Sequence, residues 1–268
     1  MAAPDAGCPS PLLPAAQLAA PSPSARDGVP AEVEFAYREF GCEVVAELCL
    51  LLRLPPAVRA TAAALLQRFF HARSLRAWDA HHVAMGAVFL AGKVEEDARR
   101  MRDVVTCAGA IAARRRGERA PRAPLPLGGA VYAAWKAALM RAERFLLKDV
   151  GFQVHGGVSG NHAASFLLFF VRALGGGAPL AQAAWAALND ALQRDLGVRH
   201  APEAVACGAL LLAARETATP LPAEAWAVFG SSEDEARLVA ASILELRERA
   251  APLGWLPSLR AGAPPEDL

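Results

Sequence analysis

From Glu32 onward apolar residues recur at spacings of three and four, the period of a helix that buries one face. Strand signals are nearly absent, with few β-branched runs and few Asn-Gly or Asp-Gly turns. The spacing predicts ten helices. The first covers 33–53 and is stopped by Pro55-Pro56; the second covers 57–71. The third covers 79–94, with Asp79 as its N-cap, and the fourth covers 99–113. The fifth covers 130–149 and stops at Gly151. The others fall near 161–174, 180–196, 202–216, 222–229 and 233–249. Pro202 suits a first helical turn, and Ser232 with Glu235 makes a capping box.

The breaks between these helices divide the chain. Residues 1–30 carry seven prolines and read as an extended or disordered tail. HGGVSG at 155–160 marks a boundary between two halves, 31–154 and 155–250, and 251–268 reads as a second flexible tail. The halves echo each other. VAMGAVFLAGK (83–93) aligns without a gap on VACGALLLAAR (205–215), with identities at Val83, Ala84, Gly86, Ala87, Leu90 and Ala91. LLQRFF (65–70) echoes ALQRDL (191–196). In each half the third helix is apolar on every side, so it is the expected buried centre of its bundle.

Composition narrows the class. Of 268 residues, 54% are hydrophobic and 21% charged, which excludes disorder throughout and suits one large or two small domains. A net charge of +1 argues against a protein whose main task is holding duplex nucleic acid. Five cysteines with no C-x-x-C fit a reduced intracellular compartment better than a disulfide scaffold or zinc ribbon. The longest clean apolar stretch, 204–214, is far shorter than the roughly 18 residues of a spanning helix. The first basic residue is Arg26, so the N-terminus lacks the order of a signal peptide.

Candidate chemistry is sparse. The six histidines form no H-x3-H or HExxH pattern, and there is no G-x-S-x-G elbow, Walker lysine loop or GxGxxG. Gly175–Gly177 follows no strand, and Glu95-Glu96-Asp97 is short and flanked by basic residues. No catalytic residue, cofactor or metal ligand is assigned. The run Arg114–Arg122 reads as a solvated loop, with a nuclear-import or nucleic-acid patch as the alternative. Lys93 is one of only three lysines and ends a helix with no other charge between it and Asp79. It either complements the helix dipole or offers a compact ammonium to a partner's carbonyls. Glu143, read by itself, is a solvated acid pairing with Arg144 or Lys148. Leu139, Phe145, Leu146 and Val150 are core candidates, while Leu147 and Phe152 face outward.

Five segments, in order, carry a family resemblance: FGCEVVAELCLLLRLPP (40–56), QRFFHARSL (67–75), MGAVFLAGKVEEDARRMRDV (85–104), RAERFLLKDVGFQVH (141–155) and PEAVACGALLLAARETATPLP (202–222). Together they resemble a cyclin, most nearly an L-type cyclin of the transcription and RNA-processing branch, over residues 34–250. The resemblance implies an all-α fold of two cyclin boxes, about five helices each around a buried central helix. It implies a nuclear, non-catalytic subunit that forms a heterodimer with a cyclin-dependent kinase and activates it, without cofactor, membrane or direct nucleic-acid contact. Lys93 and Glu143 would hydrogen-bond to the kinase near its mobile αC helix, with Leu90, Leu147 and Phe152 as their apolar surround. The M-R-x-x-L docking string of cell-cycle cyclins is missing, which favours a transcription-type role. The Arg/Ser-rich tail of many L-type cyclins has no counterpart within the 268 residues. The alternative is a cyclin-fold protein like general transcription factor B, binding DNA or other transcription factors. It should carry an N-terminal zinc ribbon and a basic face, and here the N-terminus has only Cys8. A helical enzyme should place several polar residues in an apolar pocket, and the central helices hold almost none.

Overall fold

The structure is a computed structural model that describes residues 12–118, 126–152, 162–222, 224–248 and 254–260. All regular elements among these residues are helical. Residues 14–154 with 252–268 make one compact unit, and residues 1–13 with 155–251 make the other.

The first unit contains α1 (Ala15–Ala19), α2 (Pro23–Arg26), α3 (Ala31–Leu51), α4 (Pro56–Ala72), α5 (Ala80–Val94), α6 (Met101–Arg115) and α7 (Ala130–Asp149). Helix α5 is its centre and packs on α3, α4, α6 and α7. Every residue of α5 except His82 and Lys93 is buried, as its unbroken apolar sequence predicts. The N-cap is Asp79, whose Oδ1 accepts the His82 N–H at 3.1 Å. Phe40, Phe69, Phe70, Leu48, Leu66 and Met85 fill the core around it.

The second unit contains α8 (Ala163–Ala173), α9 (Ala178–Ala191), α10 (Leu196–Arg199), α11 (Pro202–Glu216), α12 (Ala225–Val228) and α13 (Glu233–Glu248). Its centre is α11, which packs on α8, α9 and α13 and is buried without interruption from Ala204 to Ala214. Pro202 occupies its first turn, and Ser232 Oγ accepts the Glu235 N–H at 3.2 Å at the head of α13. Phe170 and Phe229 stack with centroids 4.0 Å apart. Arg247 ties α13 to Asp190 and Glu216.

Most helix ends fall within two residues of their expected places. The helix expected over 180–196 ends earlier, at Ala191, because Gln193 and Arg194 bond to carbonyls three residues back (3.0 and 3.1 Å) and tighten the chain. The helix expected over 222–229 shrinks to α12. The expected boundary segment 155–160 lies outside the described residues.

Both expected flexible tails need correction over their described parts. Residues 12–30 form α1 and α2 instead of a disordered tail. Pro14 and Pro30 are N-caps and Pro23 opens α2, positions where a missing N–H donor costs no hydrogen bond. Val29 and Ser24 are buried, and Ser24 Oγ accepts the Leu75 N–H at 3.2 Å. Residues 254–260 pack on the first unit. The Trp255 ring meets Phe40 edge-on at 5.8 Å and His81 at 5.2 Å, so one large apolar side chain secures a short irregular segment.

His81 is fully enclosed, its ring also 5.1 Å from Trp135. Its hydrogen-bonding neighbour is the Ala108 backbone of α6, which together with Asp79 favours the protonated ring. Burial, aided by the neighbouring His82, pushes its pKa down to about 4. Burial also lowers the His82 pKa, against the pull of Asp79.

Two expectations follow from this packing. A methyl added at Gly86 would lie 2.6 Å from Ala142 Cβ, well inside contact distance, and α7 would have to move. Gly86→Ala should therefore lower stability by about 1–3 kcal/mol despite alanine's better helix propensity, read as a shift in urea midpoint. The second concerns acid. Unfolded His81 takes up its proton near pH 6.5, whereas folded His81 resists until about pH 4. Its contribution to stability is complete above 6.5 and drains away as pH falls through that window. Wild type should lose about 2 kcal/mol from this residue between pH 7.5 and 5, and His81→Gln should lose correspondingly less. An equal pH slope in the two proteins refutes the assignment.

Candidate functional site

The candidate surface is built where α5 ends beside α7. Helix α5 closes with Glu95 as C-cap, and Glu96 takes a left-handed conformation (φ 60°). The Asp97 N–H then returns to the Gly92 carbonyl at 2.8 Å. Glu95 is consumed internally, its Oε1 accepting the hydroxyl of buried Thr61 at 2.5 Å. Arg99 anchors the loop from the other side. Its guanidinium donates to the carbonyls of Leu52 and Arg53 (3.1 Å each) and to the Asp97 carboxylate (3.1 Å). Lys93 is thus presented from a helix end that is held on two sides.

Glu143 arrives from α7 because Gly86 lets the two helices touch. The vacant Cβ position of Gly86 lies 2.6 Å from Ala142 Cβ and 3.1 Å from the Glu143 nitrogen. Two turns further along α5, Lys93 Nζ reaches Glu143 Oε1 at 2.5 Å. The ammonium also lies 4.1 Å from the centroid of the Phe89 ring. The Lys93 side chain is 46% exposed and that of Glu143 15%. The pair leaves the second carboxylate oxygen and two ammonium donors for another molecule. Helix α7 is fixed at its far end by a two-pronged pair, Arg73 to Asp149 at 2.9 and 2.7 Å, whose hydrogen bonds raise the Arg73 pKa.

The five residues expected at the site separate into three groups. Lys93 and Glu143 meet each other, instead of the Arg144 or Lys148 partner that sequence proximity suggests. Leu147 is half-buried and Phe152 is 70% exposed just beyond the end of α7, where its N–H bonds to the Leu147 carbonyl at 2.9 Å. Leu90 differs from expectation: it is 3% exposed and belongs to the core. In a helix buried all round, apolar residues give no sign of which face a partner could reach. Met140, half exposed, lies three residues before Glu143 and seven before Leu147, on the same face of α7. Sequence reasoning passed over it, though its spacing from Glu143 was a usable signal.

Two other clusters have structural work to do. Arg115 is nearly buried between Glu43 (2.8 Å) and Glu47 (2.6 Å), Arg114 also bonds to Glu47, and Arg116 meets Glu118 at 2.9 Å. The described part of the basic run is therefore matched by acids, and residues 119–122 of that run lie outside the described residues. Asp79, His81 and His82 bring possible ligand atoms within 4.8 Å of one another. The Asp79 carboxylate already accepts the His82 N–H, and the Arg115 and Arg260 charges bear on the two imidazoles. That surrounding is poor for a dication.

Among the described residues no helix is long and apolar enough to cross a membrane. A family model described as "Cyclin, N-terminal domain" matches residues 19–155, which contain all of α3 to α7. Mouse Cyclin-L2 is 36% identical over 231 residues, 85% of this chain and 43% of its own length. Cyclin-L1-1 of rice is 38% identical over 215 residues, 79% of this chain and 48% of its own. The chain thus spans about half the length of these relatives. A chain in the crystal structure of the yeast RNA Pol II CTD kinase CTDK-1 complex shares the fold, with a TM-score of 0.68 and 16% identity over 93% of this chain and 86% of that one. With a family match that spans the bundle around α5, and with L-type relatives over most of its length, this chain belongs to the cyclin family.

Proposed function

We propose that this chain is the regulatory subunit of a cyclin-dependent protein kinase and that it engages the kinase through Lys93, Glu143, Leu147 and Phe152, with Met140 at the margin. The observation that carries this reading is the Lys93–Glu143 pair, held rigidly at a helix crossing yet open on one side. A few polar groups that fix register inside an apolar rim are the ordinary anatomy of a specific interface. The exposed Phe152 ring would supply buried area, and the spare ammonium donors would meet carbonyls near the kinase αC helix. Leu90 would act from beneath, by holding α5 in place.

Activation would be allosteric. Kinase catalysis requires the β3 lysine–αC glutamate ion pair to be formed. A surface complementary only to the αC-in arrangement shifts the kinase toward it by its differential affinity for the two states. The chain itself would contribute no catalytic group. The names of its L-type relatives and the CTD kinase complex among its structural neighbours support a nuclear role in transcription or pre-mRNA processing.

The test is co-expression with candidate cyclin-dependent kinases, followed by pull-down and a kinase assay. Wild type should bind and activate one of them, and Lys93→Ala/Glu143→Ala should lose most of both activities. Full activity in the double variant would remove these residues from the interface. No binding to any kinase would leave the fold without this function. Two single variants settle whether the pair serves folding. Because Lys93 is half exposed, Lys93→Met and Glu143→Gln should each change stability by less than about 1 kcal/mol in thermal melts.

A further inference from the structure

Helix α7 presents three exposed cations, Arg141, Arg144 and Lys148. The acids closest to them in the chain are engaged elsewhere. Glu143 turns to Lys93, and Asp149 is held by Arg73. Among the described residues no acid pairs with any of the three. The arginines at the end of α6 differ, since Arg114, Arg115 and Arg116 all meet glutamates. Aromatic rings also draw the α7 cations together. The charged heads of Arg73, Arg144 and Lys148 all lie within 6.0 Å of the Phe145 ring centroid. The Arg141 head lies 4.4 Å from the Trp78 centroid, and the Trp78 and Phe145 centroids are 4.8 Å apart. Four positive heads thus converge on one aromatic floor, and Asp149 offsets only Arg73.

We propose that this cluster is a docking site for a polypeptide segment that carries a phosphoserine or phosphothreonine, with Arg73, Arg141, Arg144 and Lys148 holding the phosphoryl group. Such a group brings a charge of about −1.5 to −2 and three acceptor oxygens to one point. A single carboxylate brings one charge and two oxygens, less than the cluster can meet. Guanidinium forks match phosphate oxygens two at a time, and the ammonium adds a point charge. The rings keep water from one side of the cations, which strengthens the attraction. Other polyanions fit less well. Single-stranded RNA needs open rings for its bases and a basic groove that follows several phosphates. Here Trp78 is buried, and cations crowd the Phe145 ring. An anionic membrane asks for large apolar side chains that insert beside the cations, and the exposed residue one turn before Arg141 is Ala137. Arg144 and Lys148 each follow a residue of the proposed kinase contact, Glu143 and Leu147, and so stand about 100° around α7 from it. The two surfaces adjoin without sharing a side chain, so this inference holds with or without the kinase reading.

The experiment passes the purified full chain over immobilised peptide libraries of random sequence around one fixed residue: phosphoserine, serine or glutamate. At physiological salt, wild type should be retained about tenfold more on the phosphoserine library than on either of the others. Arg144→Gln/Lys148→Gln should lose about fivefold or more of that retention, with an unchanged melting temperature because both side chains are exposed. Arg141→Gln alone should move in the same direction, which keeps the test open if the double variant melts early. Arg172→Gln/Arg237→Gln removes the same charge from the second unit and should stay within about twofold of wild type. Equal retention on the serine or glutamate library overturns the proposal, and so does an equal loss in the second-unit variant. Tighter capture of a uridine oligonucleotide or of phosphatidylserine vesicles, lost in the same α7 variants, overturns it in favour of that ligand.

Discussion

Helices approach as closely as α5 and α7 do only where one of them lacks a side chain. Gly86 supplies that gap, and Ala142 fills it. With the two backbones in contact, the next residue on α7, Glu143, has one position relative to α5, and Lys93 is within reach two turns later. The second unit repeats the device: a methyl on Gly208 would lie 2.4 Å from Val239 Cγ1 of α13. In both units, then, a glycine midway along the buried central helix sets where the last helix of the bundle lies. In both, the central helix also closes with a left-handed residue, Glu96 or Ala218, and an N–H returned to a carbonyl five residues back.

The ion pairs divide along chemical lines. Those that hold the first unit together use arginine: Arg115 with Glu43 and Glu47, Arg73 with Asp149, Arg99 with Asp97. A planar guanidinium makes several fixed bonds at once and suits permanent attachment. The candidate site uses lysine, whose ammonium is a compact charge with donors left over. In a chain where 25 of the 28 basic residues are arginine, that choice separates attachment from presentation.

Much of this was legible beforehand. The two apolar central helices, their matching glycines, the Asp79 cap and the limits of α7 all follow from local pattern, because burial on every face and helix termination are local properties. The partnership of Lys93 and Glu143 is not local. The two residues are 50 positions apart, and only the crossing at Gly86 joins them, so Glu143 looked like a neighbour of Arg144 or Lys148. Leu90 could not be told from a surface contact because its helix has no polar face to orient it. The tails misled for a different reason: proline density implies extended chain unless the prolines fall at N-cap and first-turn positions, as Pro14, Pro23 and Pro30 do. Trp255 was the available warning, since an indole in a proline-rich end is rarely left in water.

The two glycine crossings also limit how far the halves can be treated as duplicates. Gly86 is met by the smallest side chain that still has a Cβ, Gly208 by a β-branched one. The helices facing them have been cut to different depths, so α13 grafted in place of α7 would bring valine to a crossing fitted to alanine, and α7 in place of α13 would leave a void. The repeats share a plan and have lost the interchangeability of their parts. Recombination between them would yield chains that read as family members and pack as neither half does.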